Sequence, residues 1–182
     1  KKIMTDNYQK IAREGKVEDD ELHKLLNLDD RDEGEREKLD GDAVIRVVLQ
    51  KPWLATQEYN FLPHHRLFPL YKAIRLKAPV EVIDALSCPL VLSGKTKTLH
   101  KALLYSASFE AIALLLEKEP KLVKEEDFTR NTPLYMACRM RAPLEIICLL
   151  FEYWPGATKK KNRHGETPLH VACSCRVPIV DV

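Results

Sequence analysis

One seven-residue pattern, repeated at a fixed distance, constrains this chain of 182 residues more than any other feature. Residues 132–138 read TPLYMAC, and residues 167–173 repeat the pattern 35 positions later as TPLHVAC. Weaker copies stand at 97–103, another 35 positions earlier, and at 68–74, a further 29 positions earlier. A sequence that repeats with a period of about 20 to 50 residues folds as an array of similar units.

The start of each unit predicts a short helix with a defined first residue. Thr132 is a good N-cap because its hydroxyl can accept a hydrogen bond from an unpaired N–H of the first turn. Pro133 suits the first helical position, where its missing N–H costs nothing. Leu134, Ala137 and Cys138 then fall on one apolar face.

The rest of the unit predicts a second helix and a returning loop. Pro143 starts the second helix, and Trp154-Pro155-Gly156 ends it, since proline cannot continue a helix and glycine suits the position after one. A unit of this length cannot bury its own apolar face, so neighbouring copies must stack. The predicted fold is therefore all-α, an α-solenoid of stacked helix-turn-helix repeats.

This pattern resembles the ankyrin repeat. The family's Thr-Pro-Leu-His-x-Ala core stands complete at 167–172, and at 132–137 with Tyr135 in place of His. The resemblance covers about residues 43–182, and residues 162–166 resemble the hairpin turn of the family.

The sequence also departs from the family pattern. Gly165 stands in the hairpin where a positive φ is wanted, and Arg130 occupies the same place one unit earlier. We therefore expect a less regular hairpin at Arg130. Lys97 and Thr98 replace Thr-Pro in the third copy, so we expect a weaker helix cap there, or one shifted to Thr96.

The repeat phase divides the chain into six segments. The degenerate first repeat contributes a second helix and a loop lengthened by four residues. Because Val182 falls within the last predicted helix, we expect the chain to be a truncated piece of a longer protein. The segments are 1–42, an acidic segment with short capping helices at 5–14 and 18–28 and a solvated linker at 29–42; 43–66, the degenerate first repeat; the repeats 67–96, 97–131 and 132–166; and 167–182, a partial repeat.

Composition excludes several classes of protein. The net charge of +2 argues against a dedicated nucleic-acid binder, although residues 1–42 carry −5 and the remainder +7. The longest apolar run, residues 111–116, is far too short to span a membrane. Five cysteines without a paired framework favour reduced thiols. We therefore expect an intracellular protein, in the cytoplasm, with the nucleus as the alternative.

Possible sites of chemistry each have a simpler structural explanation. Gly94-Lys95-Thr96 lacks the upstream glycine of a phosphate loop and is interpreted as a loop. The cluster His164, His170, Cys173 and Cys175 could bind a metal, but Tyr135 fills the place of His170 one unit earlier. Lys159-Lys160-Lys161, together with Arg163, is a charged returning loop or, alternatively, a nuclear-import or nucleic-acid patch. We expect no catalytic, cofactor-binding or metal-binding residue, and hence no enzyme.

The resemblance implies a function instead. Ankyrin repeats usually bind another protein through a concave groove of hairpin tips and first helices, so we expect a non-catalytic interaction module. The alternative is the regulatory array of a longer enzyme or channel. Phe128 could either contact the partner or fold back over its hairpin. The implied partner-binding residues are Tyr105, Phe128, Thr129, Arg130, Asn131, Arg139, Met140, Arg163, His164, Glu166, Ser174 and Cys175.

Overall fold

A computed structural model describes residues 21–61, 66–93 and 96–174 of the chain. The chain divides into two compact units, Lys1–Val91 and Leu92–Val182. Both consist mainly of helices, and helix pairs recur along the chain, which confirms the predicted all-α repeat fold.

The described part of the first unit contains short helices around a leucine- and valine-rich core. Helix α3 (Gly41–Gln50) packs against α1 (Glu21–Leu26) and α5 (Val80–Leu86), while α4 (Pro69–Arg75) packs against α1 and α5. A 3-10 helix follows α3, and two short strands pair antiparallel in the predicted inserted loop, with Tyr59 opposite Leu67. The elements are α1 Glu21–Leu26, α2 Glu33–Arg36, α3 Gly41–Gln50, the 3-10 helix Pro52–Thr56, β1 Tyr59–Asn60, β2 Arg66–Leu67, α4 Pro69–Arg75 and α5 Val80–Leu86.

The acidic stretch before α3 is more structured than the sequence suggested. Asp32 and Asp40 cap α2 and α3, each accepting a backbone N–H at 2.9 Å. The interpretation of residues 29–42 as a solvated linker is wrong at Asp30, whose side chain is 5% exposed and pairs with Lys72 and Arg75. Of the predicted capping helices, 5–14 lies outside the described residues, whereas α1 lies within 18–28.

The second unit shows the repeat more regularly. Each copy supplies a first helix: α6 (Thr98–Leu104), α8 (Pro133–Arg139) and α10 (Pro168–Ser174). Helix α8 packs against both α6 and α10. The second helices α7 and α9 pack on each other and on the first helices of their own copies. The elements are α6 Thr98–Leu104, α7 Phe109–Lys118, the 3-10 helix Pro120–Lys124, α8 Pro133–Arg139, α9 Leu144–Tyr153, the 3-10 helix Pro155–Lys159 and α10 Pro168–Ser174.

Helix starts follow the predicted signals closely. The Thr132 hydroxyl accepts the Tyr135 N–H at 3.2 Å, and Pro133 is the first helical residue of α8. Pro143 stands one residue before α9, at its N-cap. The expected weaker cap of the third copy is also confirmed. Its N-cap is Lys97, at φ 54°, and an ammonium group has no acceptor for a helix N–H.

Candidate functional site

The first exposed hairpin of the second unit, residues 127–131, is closed around one carboxylate. Asp127 Oδ1 accepts the N–H groups of Thr129 and Asn131, both at 2.8 Å, and Oδ2 accepts from Asn131 Nδ2 at 2.9 Å. Burial acts to raise the pKa of Asp127, but the hydrogen bonds from Asn131 and Thr129 outweigh it and lower the pKa. The carboxylate therefore stays ionised and holds the tip in one conformation.

The next hairpin, residues 162–166, has the same construction around an amide. Asn162 Oδ1 accepts the N–H groups of His164 and Glu166, at 2.9 and 3.0 Å. Gly165 adopts φ 80°, and Arg130 adopts φ 62° at the matching place. The expectation that Arg130 makes its hairpin less regular is wrong. Both hairpins are closed by the same two backbone hydrogen bonds, at 3.0 to 3.1 Å, because the Asp127 bonds compensate for the left-handed backbone.

A buried polar network fixes the two hairpins side by side. Asn162 Nδ2 donates to Asn131 Oδ1 and to Glu166 Oε2, each at 3.1 Å. The Tyr135 hydroxyl donates to Glu166 Oε2 at 2.7 Å, and the Arg163 N–H donates to the Thr129 carbonyl at 2.9 Å. The spacing of the two tips is therefore set by side chains below them.

The histidine of the third copy extends this network by one repeat. His100 is 6% exposed, and its Nε2 donates to the Asn131 carbonyl at 2.8 Å. Tyr135 occupies the same place one repeat later, and its hydroxyl donates to Glu166 of the following hairpin. In these two copies, the same position thus ties a first helix to the next tip.

The comparison with known families agrees with this geometry. Residues 99–182 match the family model described as ankyrin repeats, in three copies. These residues belong to the ankyrin-repeat family. Ankyrin repeats are in general protein-interaction modules and typically non-catalytic. No curated protein and no solved structure matches the chain.

Most of the predicted partner-binding residues lie on the surface of the ankyrin repeats. Phe128 is 87% exposed and Met140 is 41% exposed. The high exposure of Phe128 argues against the alternative in which it folds back over its hairpin. The other exposed members are Thr129, Arg130, Arg139, Arg163, His164 and Ser174, while Tyr105 and Glu166 are half-buried and Cys175 lies outside the described residues.

Asn131 requires a correction to the predicted set. It is only 3% exposed, because its amide donates to Asp127 and its Oδ1 accepts from Asn162. Its position beside an exposed tip suggested contact with a partner, but its side chain is part of the network beneath the tip. Sequence reasoning also missed Asp127 and Asn162. Their signal was an Asp or Asn five residues before each Thr-Pro, a spacing that suits a side chain closing a tight turn.

Of the remaining candidates for chemistry, Gly94, Lys95 and Cys175 lie outside the described residues. His170 Nδ1 lies 2.7 Å from the Thr167 hydroxyl at the start of α10, in agreement with its interpretation as a helix-start histidine that bonds to the preceding loop. Within residues 21–61, 66–93 and 96–174, no group of three His, Cys, Asp or Glu side chains is arranged to hold a metal ion. No helix of these described ranges has the length and apolar content needed to cross a bilayer.

Proposed function

We propose that the chain is a non-catalytic protein-binding module and that its partner contacts the tip surface of the second unit. The tip surface consists of Phe128, Thr129 and Arg130 on one hairpin, Arg163 and His164 on the next, and Arg139 and Met140 at the end of α8. We leave Asn131 out of this surface because it is buried.

The observation that carries the proposal is an aromatic ring held in solvent on a rigid support. Phe128 exposes 87% of its surface although the flanking Asp127 carboxylate fixes the backbone of its hairpin. Interface cores are enriched in aromatic, Met and Arg side chains. Phe128, Met140, Arg139 and Arg163 have this composition, and all four are exposed.

Rigid support favours binding because little conformational freedom is lost when a partner docks. The network of Asn131, Asn162, Tyr135 and Glu166 orders the backbone of both tips before any contact is made. Association then mainly orders the exposed side chains themselves. The tip surface is therefore better suited to binding than an unsupported loop of the same composition.

Site-specific photocrosslinking tests the proposal on the whole chain. A benzophenone amino acid at Phe128 is compared with the same group at Lys118, an exposed residue on the second helix α7. We expect a protein that crosslinks from position 128 and not from 118, and whose capture is lost when Met140→Glu is added. Equal crosslinking from both positions, or capture that survives Met140→Glu in a folded chain, would show that the tip surface is not the interface.

A further inference from the structure

Charge is sorted between the two kinds of helix in this chain. The first helices α4, α6, α8 and α10 together carry Lys72, Arg75, Lys101 and Arg139, and they contain no acidic residue. The second helices α5, α7 and α9 carry six carboxylates and one cation, which are Glu81, Asp84, Glu110, Glu117, Glu145, Glu152 and Lys118. In the second unit, the charged residues of the first helices are therefore Lys101 and Arg139, and both are positive.

The chain already shows how a carboxylate engages the charges of a first helix. In the first unit, Asp30 pairs with Lys72, at 3.5 Å from Nζ to Oδ1, and with Arg75 through its other oxygen. Burial acts to raise the pKa of Asp30, but the Arg75 hydrogen bond and the two positive charges outweigh it and lower the pKa. Asp30 is thus ionised when it pairs with Lys72 and Arg75.

The corresponding arginine of the second unit is exposed. Aligned on the shared Pro-Leu-Tyr of α4 and α8, Arg75 corresponds to Arg139 and Lys72 corresponds to Met136. Arg75 exposes 22% of its side chain beneath the acidic segment of its own unit, whereas Arg139 is classed among the exposed residues. Arg139 thus presents to solvent the kind of guanidinium that Asp30 engages in the first unit.

Each hairpin tip carries one arginine and one carboxylate, and in both tips the arginine is the more exposed of the two charges. The Asp127 carboxylate accepts hydrogen bonds from Thr129 and Asn131, and the Glu166 carboxylate accepts them from Asn162 and Tyr135. The Arg130 side chain is 60% exposed and, among the described residues, pairs with Glu126, four residues earlier, at 3.3 Å. Such an exposed pair contributes little and is easily exchanged for a partner's carboxylate. The guanidinium N–H groups of Arg130 and Arg163 therefore lie at the surface, where they can donate hydrogen bonds to a partner.

We propose that the segment recognised by the tip surface is an acidic peptide in which carboxylates alternate with apolar side chains. This inference rests on the proposed function and names the chemistry of its partner. The carboxylates pair with Arg139, Arg130 and Arg163, where arginine can bind both oxygens of one carboxylate. The apolar side chains pack on Phe128 and Met140.

Fluorescence anisotropy with three labelled peptides tests the partner chemistry on the full chain. The probe is Glu-Glu-Leu repeated four times, and its matched controls carry Gln-Gln-Leu and Lys-Lys-Leu. We expect the acidic peptide to bind about tenfold more tightly than the glutamine peptide, and binding to weaken as salt rises from about 50 to 300 mM. The lysine peptide should show no measurable binding.

Matched variants locate the binding. Arg139→Glu and Arg163→Glu should each weaken the acidic peptide by about fivefold or more, whereas Arg139→Lys should retain most of the affinity. Lys118→Glu makes the same charge change on the second helix α7 and should leave affinity within about twofold. Circular dichroism of each variant checks that the fold is intact.

The outcomes separate this inference from the proposed function. Equal binding of the acidic and glutamine peptides, no binding of the acidic one, or an equal effect of Lys118→Glu would overturn the acidic-peptide inference. A single-stranded oligonucleotide that binds more tightly than the acidic peptide would also overturn it, in favour of nucleic acid. A protein that crosslinks at position 128 through a neutral or basic segment would leave the proposed function standing while removing the acidic partner. Loss of the position-specific crosslink would remove both.

Discussion

Replacing Asn162 by alanine tests whether the network beneath the tips determines their structure. Asn162 is 8% exposed, and its side chain makes four hydrogen bonds. Its Oδ1 accepts from the backbone of His164 and Glu166, and its Nδ2 donates to Asn131 Oδ1 and Glu166 Oε2. No other residue of the second hairpin bonds both within that hairpin and to the side chain of the first.

The expected loss follows from what each partner can do after the substitution. A hydrogen bond contributes about 1 kcal/mol net, and more when its removal leaves a buried group unpaired. The backbone N–H groups of His164 and Glu166 stand in an exposed hairpin and can turn to water. Asn131 Oδ1 lies in a residue that is 3% exposed and loses this donor outright. We therefore expect Asn162→Ala to lower the free energy of unfolding by about 2–4 kcal/mol.

Asn162→Asp separates closure of the hairpin from the link between hairpins. Aspartate keeps the Oδ1 acceptor for His164 and Glu166, as Asp127 does in the first hairpin. It replaces the Nδ2 donor by an oxygen that faces Asn131 Oδ1 and the Glu166 carboxylate. We expect a loss of about 1–3 kcal/mol at pH 7 that becomes smaller as the pH falls and the carboxylates take up protons.

Urea unfolding followed by circular dichroism, with hydrogen exchange of the hairpin amides, measures both variants. Arg163→Ala is the matched control, because its exposed side chain is next in the same hairpin, and it should change stability by less than about 0.5 kcal/mol. If Asn162→Ala were as stable as this control and its hairpin amides stayed protected, the network would not hold the tips.

Three further predictions concern a buried histidine, a strained turn and a buried ion pair. Burial lowers the pKa of His100, and its Nδ1 has no partner among the described residues, so protonation is disfavoured in the folded state. Because the unfolded chain binds the proton near pH 6.5 and the folded chain only at lower pH, stability should be level above about 6.5 and fall below it. Urea unfolding at pH 7.5 and 5.5 measures this fall, which His100→Gln should reduce. Arg141→Gly should raise the free energy of unfolding by about 0.5–1 kcal/mol, and the thermal midpoint with it, since Arg141 adopts φ 53°; a drop in the midpoint would contradict this, and Ala142→Gly is the control. Asp30→Asn should cost about 3 kcal/mol by leaving Lys72 buried without its ionised partner, whereas Glu33→Gln, at a side chain 85% exposed, should change urea unfolding by less than about 0.5 kcal/mol.

Local signals made the helix pairs predictable from sequence. Thr132 and Pro133 mark the start of α8 by chemistry that acts within one turn, and the structure shows that cap. The defect at Lys97 was visible for the same reason. Copies 35 residues apart then repeat these signals, so a helix start that is weakly marked in one copy can be located from the neighbouring copy.

Contacts that join distant residues were not predictable. Asp30 reaches Lys72 and Arg75 across 42 and 45 positions, and nothing in the composition of an acidic segment distinguishes a buried aspartate from its solvated neighbours. The burial of Asn131 was missed because its partner Asn162 belongs to the next repeat. The exposure of Phe128 likewise required the conformation of its hairpin, which either packing or contact with a partner would have fitted.

Within each of the two hairpins, some residues support the fold and others are exposed. A rigid module can therefore present a surface that is able to vary. The first and fifth residues, Asp127 and Asn131 or Asn162 and Glu166, take part in the hydrogen bonds that close and join the hairpins. The second, third and fourth residues of each hairpin are all exposed. Substitutions of Phe128, Arg163 and His164 should therefore alter partner contacts at little cost in stability, whereas substitutions at the first position break the support. The charge and apolar character of the tip surface can change without loss of the fold beneath it.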